Sequence, residues 1–443
     1  MAIIDQVSER FKEDADYICK RTKLGEVPAT VMALGSLIDM PRTMLHIGLQ
    51  TRQSVNPEQL ADALAGGIGE TLISPDADQL AAHLTAGRII AAFEGSDIHI
   101  SIAPAPKTLT RSIEAPLTEN VLSGSVSAFN EDIDSNLGML RKQVVSERLR
   151  ALSYQVGSDQ RKRISVIYLE HRVNRRLLDA IVRKIESRLE LDVTSLQSLN
   201  GLLGLSKWSI VTRLNSTELP QQAASAMEKG KAVILVDRYP FAFIVPSLLW
   251  DMFDVENDRN YPISLMYSIR LLRIIGVLVN FIFPGLYVAL VSVNPDVLRI
   301  EMALSVAASR IDVPYPAFVE TLILLIILEL ILEASVRLPK SIGPTITMVG
   351  GIILGQAVVS AKLVSNLLII ILAATTIASF TVAGFQNAIS IRVFKYIILI
   401  LSAVFGVFGL LSGLVIVCGY LASVTSFGIP YLHMARARDD AHG

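Results

Sequence analysis

The sequence IIGVLVNFIFPGLYVALVSV (Ile274–Val293) decides the architecture of this chain, because it is an apolar run as long as the helix that crosses a bilayer. Four further runs of this kind follow: Phe318–Val336, Ile342–Ala361, Leu363–Ala383 and Tyr396–Ala422. Residues 1–260 carry most of the charge and contain no comparable run. We therefore predict an α/β soluble head of two tandem similar subdomains, followed by an α-helical transmembrane bundle of four to five spans.

Basic residues beside the apolar runs predict their orientation. They form three pairs: Arg270 with Arg273, Arg337 with Lys340, and Arg392 with Lys395. Because Lys and Arg concentrate on the cytoplasmic side, and the chain start has no apolar segment of signal-peptide type, we expect a cytoplasmic head. The last run leaves two alternatives open. Either one apolar segment is re-entrant, or the last run bends back at Gly406, Gly409 and Gly413.

The head contains a repeat. Residues 87–104 (GRIIAAFEGSDIHISIAP) and 230–246 (GKAVILVDRYPFAFIVP) each predict a β-hairpin, since two apolar strands flank a short acidic turn. A helical pattern precedes each hairpin, and RTMLHIGLQ (42–50) and RISVIYLEH (163–171) are the expected first strands. The predicted divisions are residues 1–106 and 158–260 for the two α/β subdomains, 107–157 for a linker with a helix, 261–435 for the transmembrane domain and 436–443 for a polar tail.

The sequence contains none of the catalytic or metal-binding motifs that we sought. The histidines of the head do not stand at metal-ligand spacing, and two cysteines cannot build a disulfide framework. The linker ends in a segment rich in Arg and Lys, which we predict to be helical; interleaved acids favour a solvated helix face over a nucleic-acid or lipid site. We therefore expect no enzyme activity, no cofactor, no metal and no nucleic-acid partner.

Several motifs in a fixed order resemble the A subunits of GerA-type spore germination receptors. They are RSIEAP (111–116), FNEDIDSNLGMLRKQV (129–144), VILVDRYPFAFIVP (233–246), VPYPAFVETLILLIILELILEASVRLPKSIG (313–343), ILGQA (353–357) and SFGIPYL (426–432). One departure follows TTIASF (375–380), where the family shows Pro-Ser-Tyr and this chain has Gly384 and Phe385. We expect Gly384 to supply the backbone bend there.

The resemblance implies a function in germination. Such A subunits lie in the spore inner membrane with a transporter-like B subunit and a lipoprotein C subunit. The A subunit is expected to form a homo-oligomer, a pentamer, that acts as a nutrient-gated ion channel in contact with membrane lipid. A related spore protein that amplifies the signal, a non-conducting scaffold of the receptor complex and a secondary transporter stay open as alternatives.

Polar side chains within the apolar runs are the candidate pore or gating residues. Glu329, Glu333 and Arg337 share one helix face. This stripe either lines an ion path or contains a Glu333–Arg337 pair that locks adjacent helices. Glu320 lies on the opposite face of the helix. The remaining candidates are Gln356, Ser365, Asn366, Thr375, Thr376 and Ser379. Rings of polar side chains line channels, although small hydroxyls also serve helix packing.

Overall fold

The computed structural model describes residues 2–433 except 25–26, 52–56, 66–68, 94–95, 97, 106–126, 339–342 and 383. The first part of the head is a five-stranded antiparallel sheet in the order β1-β2-β4-β5-β3. Its elements are α1 (Ala2–Phe11), β1 (Tyr17–Leu24), β2 (Val27–Leu34), α2 (Met40–Gln50), α3 (Pro57–Ala65), β3 (Gly69–Ile73), α4 (Ala77–Thr85), β4 (Ile89–Phe93) and β5 (Ile98–Ile102).

The second part of the head repeats this topology. Its sheet has the order β6-β7-β9-β10-β8, so each strand corresponds to the strand five places earlier. The elements are α5 (Ile133–Gln143), β6 (Leu149–Val156), β7 (Lys162–Leu169), α6 (Arg175–Glu186), α7 (Leu196–Leu202), β8 (Asn215–Thr217), α8 (Pro220–Glu228), β9 (Ala232–Val236) and β10 (Ala242–Val245). The two predicted hairpins are confirmed as β4–β5 and β9–β10, each preceded by its predicted helix.

Burial explains why β9 is an unbroken apolar strand. One apolar cluster packs α6 and α7 against the sheet, and a second packs α5 and α8. Alternate residues of β9 enter different clusters, as Ile234 and Leu235 show. Every side chain of this central strand is therefore buried, and a polar residue has no place in it.

Three predictions for the head need correction. Residues 42–50 form helix α2 rather than a strand, because the Asp39 side chain caps it through the N–H of Arg42 (3.2 Å) and a proline occupies its first turn. The basic segment at the end of the predicted linker is not helical from Leu149 to Val156. It forms the edge strand β6, which pairs with β7 along its whole length. The strand RISVIYLEH is β7, the second strand of its sheet rather than the first.

A buried ion cluster joins the two sheets. Arg141 of α5 donates through Nε to Asp16 (2.8 Å), and its Nη2 also contacts Asp16. Asp14 lies 3.3 Å from Arg150 Nη1 and accepts a hydrogen bond from Ala151 N (3.1 Å). Burial raises the pKa of Asp14 to about 6, although the two arginines oppose this change. The cluster fixes α5 and β6 to the start of β1.

Residues 261–433, which we call the helical region, contain the remaining helices. They are α9 (Ile263–Val288), which continues as a π-helical turn (Ala289–Val293), α10 (Ile300–Ser309), α11 (Ala317–Arg337), α12 (Gly343–Ser360), α13 (Asn366–Ser379) and α14 (Phe385–Ser423). A short pair, β11 (Thr425–Ser426) and β12 (Ile429–Pro430), follows. Each predicted apolar run overlaps a helix, and Ile342 and Ala383, at the ends of two runs, lie outside the described residues. In the described part of the chain, residues 263–293 and 386–423 are long and apolar enough to cross a membrane.

Helix α14 reverses direction at Gly406, as one of the two alternatives predicted. Gly406 has φ +62°, in the left-handed region, and a Cβ there would collide with Asn294 Oδ1. That oxygen instead accepts a hydrogen bond from Val407 N (3.0 Å). The two halves then pack together, with the rings of Phe394 and Tyr420 5.7 Å apart. Both ends of α14 consequently lie on the same side as the head.

Candidate functional site

Glu320 lies at the end of the helical region away from the head. Its side chain is fully buried, with Oε1 accepting from Ser365 N (2.5 Å) and Oε2 3.3 Å from Arg310 Nη2. Ser365 caps the start of α13 through Leu368 N (3.3 Å), and its Oγ is 2.9 Å from Tyr287 OH. This one carboxylate therefore holds together α11, α13 and the turn before α11, with α9 in contact through Tyr287.

Glu329 joins α11 to α14. Its carboxylate oxygens lie 3.1 Å from Arg392 Nη1 and 3.3 Å from Lys395 Nζ. All three side chains are mostly buried. A carboxylate held between two cations in an apolar environment stabilises the contact between the helices, and its removal leaves two unpaired cations.

Glu333 and Arg337 form an exposed ion pair (2.6 Å) within α11. The three charged residues of the predicted stripe thus have different partners, because Glu329 contacts α14 instead. The Glu333–Arg337 pair of the packing interpretation is present. It links two turns of one helix, however, and does not lock adjacent helices within the protomer.

The hydroxyls of α13 face inward. Thr375 and Thr376 both donate to Leu372 O (2.9 and 2.7 Å), and Ser379 donates to Thr376 O (2.7 Å). Donation to the preceding turn satisfies a hydroxyl without any partner from another helix. Asn366, at the start of α13, is exposed.

Helix α12 packs mainly against α11 and leaves much of its surface uncovered. Met348, Ile352, Ile353 and the candidate Gln356 are all exposed. Gln356 and Asn366 are therefore the two uncharged candidates that a single protomer leaves exposed, whereas Ser365, Thr375 and Ser379 are buried and Thr376 is half-buried.

A charged joint connects the head to α9. We use the term joint for two lysines that follow α8, three aspartates that follow β10 and two arginines of α9: Lys229, Lys231, Asp251, Asp254, Asp258, Arg270 and Arg273. Asp254 bridges Lys229 (2.5 Å) and Arg270, while Asp258 contacts Arg273 through both oxygens. The arginines that we took as orientation signals are thus paired with acids.

Burial sets the electrostatics of the joint. Lys231 is nearly inaccessible, and burial lowers its pKa although Asp251, at 2.5 Å from its Nζ, opposes this. For Asp254, burial acts to raise the pKa, but Lys229 and Arg270 outweigh it, so the pKa of Asp254 is lowered. The sequence signal that we missed is the acidic segment DMFDVEND (251–258) directly before the first apolar run.

In the part of the chain that the structure describes, no group of three or more His, Cys, Asp or Glu side chains is placed to hold a metal ion.

Comparison with known proteins decides the family. The profile of the Bacillus/Clostridium GerA spore germination protein family matches residues 5–440. The chain belongs to the GerA family. The recognition from motifs, as a member of the family of germinant receptor A subunits, is thereby confirmed.

Three relatives show how much of the sequence of this GerA protein is similar to other members of the family. Spore germination protein GerLA of Bacillus cereus is 33% identical over 321 residues, which cover 72% of this chain and 65% of that protein. The membrane protein YfkQ of Bacillus subtilis (strain 168) is 32% identical over 324 residues, covering 73% of this chain and 63% of that one. Spore germination protein KA of the same strain is 28% identical over 445 residues, which cover 97% of this chain and 81% of that protein. The matches to GerLA and YfkQ thus span about two thirds of the length of those relatives.

Among solved structures, the N-terminal domain of the A subunit of the Bacillus megaterium spore germinant receptor GerK3 is similar to this GerA protein. The match has 18% sequence identity and a TM-score of 0.41, and it covers 56% of this chain and 94% of that domain.

Proposed function

We propose that this chain is the A subunit of a spore germinant receptor and forms, as a pentamer, a nutrient-gated ion channel in the spore inner membrane. In this proposal a transporter-like B subunit and a lipoprotein C subunit complete the receptor, and the head lies in the cytoplasm. Family membership supports the receptor role. The two long apolar helices, α9 and α14, support placement of the helical region in the membrane.

The observation that carries the channel proposal is the exposed surface of α12. Glu320 and Glu329 are paired within one protomer, so they are not free to line a path between subunits. Helix α12 instead presents Gln356, and a Cβ added at Gly351 or Gly355 would meet no atom within 4 Å. Small residues permit close helix approach in lipid, and a ring of Gln356 side chains would provide a polar constriction.

Helix direction supports the membrane part of the proposal. Tyr287 and Ser365 bring the far end of α9 to the start of α13, whereas Arg273 and Asp258 bring its near end to the head. The reversal of α14 at Gly406 brings both of its ends to the head side, which supports an even number of passes. Tyr431 then lies beside the head, where its O accepts from Leu249 N (3.0 Å).

The proposal is tested by purifying the chain with its B and C partner subunits and counting the copies of each by native mass spectrometry. The complex is then placed in a planar bilayer and exposed to its triggering nutrient. We expect several copies of this chain per complex and discrete current steps. A single copy, or a silent complex, contradicts the channel. Several copies without current would indicate a scaffold, and solute uptake into vesicles would indicate a transporter.

A further inference from the structure

The connection between α7 and β8, residues 203–214, is held between the head and the helical region; we call it the junction loop. Leu205 and Leu214 are buried in the core of the second sheet, while Val211 packs into an apolar cluster of the helical region. Ile210 N donates to Tyr420 OH (3.0 Å), and Ile210 O accepts from Ser390 Oγ (2.7 Å). The loop is therefore fixed to the head-side ends of both halves of α14.

Trp208 stands at the tip of this loop and is 94% exposed. The backbone N–H of Trp208 donates to Ser206 Oγ (3.3 Å), and Ile210 is anchored two residues later, so the exposed ring lies on an ordered segment. Trp concentrates at membrane–water interfaces, where its ring meets lipid and its N–H meets water. The other tryptophan, Trp250, follows Leu249, whose N–H donates to Tyr431 O beyond the end of α14.

Basic side chains surround the loop without acidic partners. Lys207 and Arg213 belong to the loop. Lys184 Cδ and Arg188 Nη1 lie 3.1 and 3.3 Å from the position of a Cβ on Gly204. Among the described residues, none of these four cations has a carboxylate within ion-pair distance, which contrasts with the joint, where every cation has one.

A cleft lies between the junction loop and α14. It has a volume of about 250 Å³, and its walls include Lys207, Ser209, Arg213 and, from α14, Gln386 and Ser390. The hydroxyls of Ser209 and Ser390 already donate to backbone oxygens. The cationic and amide groups that line the cleft are suited to a phosphate, and basic pockets at the cytoplasmic ends of membrane helices bind anionic headgroups.

We propose that the junction loop binds the headgroup of an anionic phospholipid at the head-side membrane surface, with the Trp208 ring in the interface. This inference rests on the proposed function, since it requires the helical region to lie in a bilayer. Lys207 and Arg213 contact the phosphate, and Lys184 and Arg188 add to the local positive potential. The second subdomain is thereby fixed to the lipid surface beside α14.

The test uses the full chain with Trp250→Phe, which leaves Trp208 as the only tryptophan. The protein is incorporated into nanodiscs of phosphatidylcholine, with or without phosphatidylglycerol. We expect brominated phosphatidylcholine to quench the Trp208 emission and aqueous iodide to quench it weakly. Energy transfer from Trp208 to dansyl-labelled phosphatidylglycerol should exceed transfer to dansyl-labelled phosphatidylcholine.

Charge variants make this test specific. Lys184→Gln with Lys207→Gln should lower the preference for phosphatidylglycerol by about fivefold per charge removed. The matched control is Lys20→Gln with Lys23→Gln, two exposed lysines on edge strand β1 of the first subdomain, which should leave the preference unchanged.

Each contrary outcome has one meaning. If the chain enters nanodiscs but iodide quenches Trp208 and brominated lipid does not, the lipid site is wrong and the proposed function stands. If Trp208 becomes protected only when the B and C subunits are added, the occupant is a protein and the lipid site is again wrong. If quenching by lipid occurs without a preference for phosphatidylglycerol, the anionic headgroup is wrong. If the chain does not enter nanodiscs at all, the proposed function itself fails.

Discussion

The two subdomains of the head have the same strand order but different surroundings. In the first, α3 ends at Ala65 and β3 begins at Gly69; in the second, α7 ends at Leu202 and β8 begins at Asn215. The longer connection is the junction loop, which contacts α14. The contacts described above between the head and the helical region involve the second subdomain and the segment after it: the junction loop, the joint and Leu249.

One pair of equivalent residues shows what this difference means. Each hairpin begins with Gly and a basic residue, Gly87-Arg88 or Gly230-Lys231. Arg88 pairs with Glu70 of its own sheet in a partly exposed contact. Lys231 is buried and pairs with Asp251, in the segment that leads to α9. The same position thus stabilises a sheet in one copy and connects the sheet to the helices in the other.

The largest expected effect follows from breaking the contact between the two subdomains. Arg141→Met leaves Asp16 buried without its cation and Asp14 with Arg150 as its remaining cation, and it should lower the free energy of unfolding of the head by about 3–5 kcal/mol. Arg163→Met is the control, since Arg163 and Asp134 form an exposed pair that contributes at most about 1 kcal/mol. Thermal unfolding of both variants measures the difference. Equal melting temperatures would contradict a stabilising role for the cluster.

The equivalent basic residues give the second prediction. Lys231→Gln should free the segment 247–260, because Asp251 loses a buried partner worth about 3 kcal/mol. Amide hydrogen exchange in that segment should rise by about a hundredfold, since each 1.4 kcal/mol is a factor of ten. Arg88→Gln is the matched change in the first subdomain and should alter exchange there by less than about tenfold. A similar increase in amide exchange for both variants would show that Lys231 does not connect its sheet to the helices more strongly than Arg88 stabilises its own sheet.

The pH dependence of the subdomain contact gives the third prediction. The folded state raises the pKa of Asp14 from 3.8 to about 6, so between these values the folded chain binds more protons than the unfolded chain. The contribution of Asp14 to stability therefore decreases as pH rises through this range, by about 2–3 kcal/mol in total. Asp14→Asn should remove this decrease in denaturant titrations across the range. An unchanged pH profile in the variant would contradict the assignment to Asp14.

The smallest predicted effect concerns the junction loop. Tyr420→Phe removes the hydroxyl that accepts from Ile210 N and should destabilise the loop by about 1 kcal/mol. Amide exchange at residues 205–213 should increase about fivefold. Tyr267→Phe, in an exposed residue near the start of α9, is the control. Equal exchange in both variants would mean that Tyr420 does not hold the loop.

The repeated hairpins and the helical runs were predictable because their signals are local. A turn between two apolar strands, or an apolar run of bilayer length, can be recognised from the residues of the segment alone. Residues 149–156 were not predictable in this way. LRALSYQV has no strict alternation and few β-branched residues, and its partner β7 defines it as a strand.

Spacing predicted which of the candidate residues share a helix face, but not which residues they pair with. Spacing placed Glu329, Glu333 and Arg337 on one face, as the geometry of α11 requires. It could not show that Glu329 pairs with Arg392 and Lys395 of a helix more than 60 positions later. Glu320, which we placed apart from the stripe, proved to be the fully buried acid that contacts Ser365.

The central claim is that several copies of this chain enclose an ion path beside α12. Its most direct test is a bilayer recording of the complex carrying Gln356→Cys, in a background where the exposed Cys19 and Cys418 are replaced by Ser. We predict nutrient-dependent current steps that a charged methanethiosulfonate reagent changes in the Gln356→Cys protein and leaves unchanged in the cysteine-free background. Currents that the reagent does not alter would contradict the position of the path, and the absence of any current in an intact complex would contradict the channel.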